Sequence, residues 1–170
     1  MNPFVRSGSF MLVMAWLLIM GGLYWFFSGW HSAEINPNTA NVLTQQQGDL
    51  TLLRNRDGHY VASGTINGRP VRFLLDTGAT WVVVSMGMAA ELGLKRGAAL
   101  TLQTANGPTV GYQTRLARIQ VGSLELKDVG AVISDGIDDN VVLLGMSFLS
   151  RVEFSQRNGV LTLRPSSAGR

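Results

Sequence analysis

The sequence of 170 residues contains no cysteine and only two histidines, His31 and His59. The lack of cysteine excludes disulfide scaffolds, thiolate zinc sites, iron–sulfur clusters and cysteine nucleophiles. Two separated histidines do not favour a histidine-rich metal site, so we expect no metal and no cofactor. Charged residues make up only 15% of the chain, and its 14 Lys and Arg residues against 11 Asp and Glu are spread singly. They form no basic stripe, which argues against a nucleic-acid partner.

One long uncharged run lies near the N-terminus. Residues 10–30 read FMLVMAWLLIMGGLYWFFSGW and, as a helix, would extend roughly 31 Å, close to the hydrocarbon thickness of a bilayer. A cleaved signal peptide is the alternative, but the run is longer than the usual apolar region of about 7–15 residues. Arg6 precedes the run and Glu34 is the first charge after it. The length of the run predicts a single-pass helix that contacts the lipid bilayer of the inner membrane. The positive-inside rule then gives its orientation. Residues 1–9 would be cytoplasmic and the rest periplasmic or extracytoplasmic.

The remaining sequence predicts a linker over residues 31–48 and one domain over residues 49–170. The domain consists of short apolar runs, of which Val141–Leu144 and Val160–Leu163 are the last two. Four Asx-Gly pairs indicate tight hairpin turns: Asp57-Gly58, Asn67-Gly68, Asn106-Gly107 and Asn158-Gly159. The residues from Met86 to Leu92 predict a helix, with Ser85 as N-cap and Gly93 after its end, and a second helical turn follows Gly145. The pattern predicts an all-β, mostly antiparallel domain with one or two short helices.

The most informative stretch is Val71–Ser85, VRFLLDTGATWVVVS, in which Asp76 directly follows an apolar strand. A carboxylate at the end of a buried strand is destabilised by desolvation unless it accepts hydrogen bonds. Gly78 lets the backbone turn tightly and bring N–H donors near that carboxylate, and the Thr77 hydroxyl can brace the loop. A plain turn between two strands is the alternative, because turns favour Asp, Thr and Gly.

The flanking residues resemble the active-site signature of retropepsin-like aspartic proteases, in particular the single-domain, membrane-anchored bacterial branch. The resemblance implies a half-barrel fold with Asp76 as the catalytic residue. It also assigns three further groups: Thr77, Gly78 and Ala79 to the active-site loop, Leu144 and Gly145 (in VLLG) to packing behind that loop, and Ala105, Asn106 and Gly107 to a substrate-binding flap.

The number of aspartates predicts the assembly. Aspartic protease chemistry needs two carboxylates that share one proton, and the chain has a single Asp-Thr-Gly. A two-fold homodimer would supply the second Asp76. The favoured function is therefore an endopeptidase acting on a peptide or protein substrate. The alternative is a non-catalytic peptide-binding or assembly module at the membrane with the same fold.

Overall fold

The computed structural model describes residues 11–26, 36–38, 49–104 and 107–166. The chain divides into two units, residues 1–35 and 36–170. In the first unit, residues 11–26 form a helix, α1, whose side chains are exposed. No helix in the described ranges is both long enough and apolar enough to cross a membrane. The predicted transmembrane helix over residues 10–30 is therefore not supported, and residues 10 and 27–30 of that span lie outside the described residues.

The described part of the second unit contains ten strands and two short helices. In chain order they are β1 (Leu50–Leu53), β2 (Val61–Ile66), β3 (Arg69–Leu75), β4 (Val82–Ser85), α2 (Met86–Glu91), β5 (Ala99–Thr104), β6 (Gly107–Val121), β7 (Leu124–Ser134), β8 (Val142–Leu144), α3 (Met146–Leu149), β9 (Val152–Arg157) and β10 (Val160–Pro165). The predicted all-β class with two short helices is confirmed.

The strands form two sheets. The small sheet has the order β1-β10-β9, and the large sheet has the order β2-β3-β8-β4-β7-β6-β5. Most neighbours are antiparallel, but β3–β8 and β4–β7 are parallel pairs. Strand β2 also pairs with β6, which turns the large sheet back on itself. At that crossing a Cβ on Gly64 would lie 2.1 Å from the Gln120 carbonyl oxygen, so only glycine fits.

The core lies along the inward faces of the long strands β6 and β7. Leu116, Ile119 and Val129 are fully buried there, and Phe73 and Phe148 pack into the same cluster. Complete burial of a side chain of this size stabilises the fold by roughly 1.5–3 kcal/mol. Apolar residues alternate with polar ones along these strands, and their side chains form one hydrophobic core on the inner face of the large sheet.

Two of the predicted Asx-Gly pairs form the two-residue loops of β-hairpins. Asn67 and Gly68 have φ of 50° and 81° between β2 and β3, and Asn158 and Gly159 have φ of 49° and 75° between β9 and β10. Positive φ at both central residues is the requirement of a type I′ turn, which Asn-Gly meets with little strain. These hairpins are therefore confirmed with their turn residues.

Two residues of the predicted linker contact the domain. Asn36 and Asn38 are buried, and the Asn38 side chain donates to the carbonyls of Leu53 (3.1 Å) and Val61 (2.8 Å). Its Oδ1 accepts from the Leu53 N–H at 2.9 Å. Because Leu53 belongs to the small sheet and Val61 to the large one, Asn38 ties the two sheets together.

Candidate active site

Asp76 is half-buried immediately after β3, as the sequence predicts. Its Oδ1 accepts a hydrogen bond from the Gly78 N–H at 2.8 Å, and the Ala79 N–H donates to the Asp76 carbonyl at 3.3 Å. These bonds form a tight turn that points the carboxylate away from the strand. The loop therefore orients the Asp76 carboxylate through the Gly78 N–H.

Leu144 and Gly145 lie directly behind this loop. Strand β8 runs parallel to β3 with Leu75 opposite Leu144, and the Asp76 N–H donates to the Leu144 carbonyl at 3.2 Å. A Cβ on Gly145 would lie 2.2 Å from the Trp81 carbonyl oxygen and 2.6 Å from that of Ala79. No larger residue fits at position 145 unless one of these backbone segments moves.

Helix α3 completes the support of the loop. The Met146 N–H donates to the Ala79 carbonyl at 2.8 Å, and the Ser147 N–H to the Thr80 carbonyl at 2.9 Å. The Ser147 hydroxyl accepts from the Val82 N–H at 2.9 Å. Reasoning from the sequence predicts the helical turn but gives Ser147 no role, because its partner lies 65 residues away.

A cavity of about 580 Å³ opens beside Asp76. The active-site loop and Trp81 form one wall, and residues Leu100 to Thr104 of strand β5 face them. Trp81 is 38% exposed and forms part of the wall of the cleft. Strand β5 is the last strand of the large sheet, so its outer edge lies beside the cleft and is of the kind to which extended peptides add.

The predicted flap is the hairpin of β5 and β6. Gly107 opposes Thr104, whose hydroxyl donates to the Gly107 carbonyl at 2.7 Å, and Gly107 has φ of 104°. The other two predicted flap residues, Ala105 and Asn106, lie outside the described residues. Gly107 therefore occupies the left-handed conformation at the end of the hairpin, where L-residues are strained.

A second, smaller cavity of about 160 Å³ lies on the other side of Asp76. Thr77, Tyr60 and the β9 residue Phe154 line it. Thr77 is exposed, and no hydrogen bond of its hydroxyl occurs within the described residues. The expected bracing of the loop by Thr77 is therefore not found among the residues that the structure describes.

Asp76 provides the sole carboxylate among the residues that line the two cavities beside it. Within the described ranges, no group of three or more His, Asp or Glu residues is arranged to hold a metal ion. The site thus offers one oriented carboxylate, backbone donors and apolar walls.

Comparison with known proteins gives the family. Residues 62–151 match the family described as "gag-polyprotein putative aspartyl protease". The fold resembles a retropepsin-like aspartic protease from Rickettsia conorii, with a TM-score of 0.57 and 31% identity over 68% of this chain and 89% of that one. The chain belongs to the retropepsin-like aspartic proteases.

Two uncharacterised bacterial proteins are also similar to this retropepsin-like chain. One, from a Sinorhizobium species and named for the cobV 5′ region, is 30% identical over 78% of this chain. The other, from Rickettsia prowazekii, is 31% identical over 61% of it. The chain spans 59% and 46% of the lengths of these two relatives.

We predict that Ser147→Ala destabilises the protein, because the Val82 N–H then loses its partner in a partly buried position. Leaving such a donor unpaired costs about 1–3 kcal/mol, which urea denaturation followed by circular dichroism would measure. Ser150→Ala is the matched control, since the Ser150 hydroxyl is exposed and bonds only within α3. Equal stability of the two variants would contradict the role given to Ser147.

Proposed function

We propose that the protein is an aspartic endopeptidase whose catalytic group is the Asp76 carboxylate. The observation that carries the proposal is its position: Asp76 lines a cleft of about 580 Å³ that residues Leu100 to Thr104 of strand β5 also line. A peptide lying in this cleft could pair with the strand edge by main-chain hydrogen bonds. The family membership and the intact Asp-Thr-Gly support peptide hydrolysis over binding alone.

The mechanism needs a second carboxylate. With two aspartates sharing one proton, the ionised carboxylate takes a proton from a water molecule, and that water's oxygen attacks the peptide carbonyl carbon. The protonated carboxyl donates to the carbonyl oxygen as the tetrahedral intermediate forms. Proton transfer to the leaving nitrogen then breaks the C–N bond. We propose that the second Asp76 comes from another copy of the chain in a two-fold homodimer.

The surface beside the small cavity supports this assembly. Strand β9 is an edge of the small sheet, and five of its six residues are exposed. Phe154, on this strand, is 44% exposed and lines the cavity that also contains Asp76 and Thr77. A second chain docked on β9 would therefore approach the catalytic loop. Strand β10 is the central strand of this sheet, so it offers no unpaired edge to a second chain.

Asp76→Asn tests the chemistry. We expect the full chain to cleave members of a diverse peptide library with a bell-shaped pH profile and an acidic optimum, because activity requires one shared proton. The variant should lose at least about 10²–10⁴-fold in rate, the usual contribution of a positioned acid or base, while it still binds peptide. Cleavage that is unaffected by the substitution would show that the chemistry lies elsewhere. Binding without any cleavage by the unaltered chain would favour the non-catalytic module.

Phe154→Lys tests the assembly. Placing a charge at the centre of the proposed interface should raise the dimer dissociation constant by about tenfold or more, and specific activity should then require a higher protein concentration. Leu53→Lys is the matched control, because Leu53 is 39% exposed on β1, the opposite edge of the same sheet. Analytical ultracentrifugation and activity against concentration are the measurements. A fully active monomer would overturn the dimer.

The location of the chain in the cell stays a prediction from the sequence. It rests on the uncharged residues 10–30, with Arg6 before them and no Lys or Arg between them and Arg54. A reporter that is active only outside the cytoplasm, fused after residue 48, is expected to give a signal. A silent fusion, together with a signal from a cytoplasmic reporter at the same position, would contradict the predicted orientation.

A further inference from the structure

A third cavity, of about 620 Å³, lies outside the catalytic cleft. Its walls come from the segment between α2 and β5, from the middle of β6 and from the end of β7. Trp81 lines both this cavity and the cleft. A single exposed indole therefore forms the boundary between the two.

The residues that line this third cavity include three cations and no carboxylate: Lys95, Arg96 and Arg115. Arg115 is already paired, because its guanidinium donates to both carboxylate oxygens of Asp128. The Arg96 guanidinium lies 5.4 Å from the centre of the Tyr112 ring, and within the described residues neither Arg96 nor Lys95 has an acidic partner. Lys95 and Arg96 thus place two positive charges here without an acidic partner among the described residues. We call this space the basic cavity.

The basic cavity and the cleft share one continuous segment of chain. Residues Lys95 to Ala98 line the basic cavity, and residues Leu100 to Thr104 line the cleft. The Gly97 N–H donates to the Gln113 carbonyl at 2.7 Å, and the Gln113 N–H donates to the Ala98 carbonyl at 2.9 Å. The segment is therefore paired with β6 before β5 begins, so the backbone that carries the two cations is held next to the flap strand.

The Trp81 ring is also held in place. A Cβ on Gly130 would lie 2.9 Å from Cζ3 of the indole, so the ring packs directly on the β7 backbone. A peptide that followed β5 out of the cleft would pass this ring and reach Lys95 and Arg96. The local charge favours acidic side chains at that point.

We propose that the basic cavity binds an acidic side chain of the substrate peptide, beyond the residues that flank the scissile bond. This inference rests on the proposed peptide-cleaving function. Lys95 and Arg96 are the specificity-determining residues, and Trp81 is the wall over which the peptide passes.

Two fluorescein-labelled peptides with one shared apolar core test the proposal: one carries Asp and Glu in both flanks, the other Asn and Gln. Fluorescence anisotropy with the full chain carrying Asp76→Asn measures binding, and kcat/KM with the unaltered chain measures cleavage. We expect the acidic peptide to be favoured about three- to tenfold at low ionic strength and the preference to shrink in high salt. Adding Lys95→Gln and Arg96→Gln should bring the ratio close to one.

Arg72→Gln is the matched control, since Arg72 is an exposed cation on β3 that lines neither cavity; it should leave the preference intact. Lys95→Gln alone, at an exposed position, avoids any loss of the Arg96–Tyr112 contact and should remove part of the preference. Equal binding of the two peptides, or a preference that survives removal of both cations, would overturn the proposal. Absence of cleavage of either peptide would overturn the proposed function instead, and the binding ratio would still decide the role of the basic cavity.

Discussion

The position of the Asp76 carboxylate depends on a close approach of backbone to backbone at Gly145. On one side of this residue the Leu144 carbonyl accepts from the Asp76 N–H, and on the other the Met146 N–H donates to the Ala79 carbonyl. The two bonds fasten both ends of the loop to β8 and α3. Because a Cβ at position 145 would meet two carbonyl oxygens, the arrangement exists only with glycine there. The loop is thus ordered before substrate arrives, which is the condition for preorganised catalysis.

Several features near Asp76 lack a partner among the described residues of a single chain. The cleft contains one carboxylate, the Thr77 hydroxyl is exposed, and β9 leaves an edge beside them. The Tyr60 hydroxyl, which lines the small cavity, is buried without a hydrogen-bond partner among the described residues. A buried hydroxyl without a partner is destabilising by about 1–3 kcal/mol. We propose that a second chain against this face completes the first three features, whereas the Tyr60 hydroxyl is buried within the chain and a docked surface would not reach it.

The parts of the site that were predictable from sequence are those encoded within a few consecutive residues. Asp76 with its glycine turn, the Asn67-Gly68 hairpin and the Ser85 cap each depend on local backbone chemistry. Strand β9 was not predicted, because only Val152 of its six residues is buried and its sequence therefore lacks an apolar face. The Ser147 contact was also missed, since it depends on segments that only the folded sheet brings together.

The ion pair of Arg115 and Asp128 lies at the basic cavity. Its response to pH matters because the proposed shared proton requires acidic conditions. The hydrogen bond from Arg115 holds the pKa of the Asp128 carboxyl below its ordinary value. A carboxylate with a lowered pKa keeps its pair as the pH falls, and loses it only when the pH passes through that lowered value. Asp128 has φ of 53°, and two residues later Gly130 carries the Trp81 ring. The pair therefore persists at acidic pH beside this part of β7, although two such exposed side chains add little to stability. Because Arg115 is paired with Asp128, Lys95 and Arg96 are the two cations lining the cavity that are left for the proposed contact with an acidic peptide.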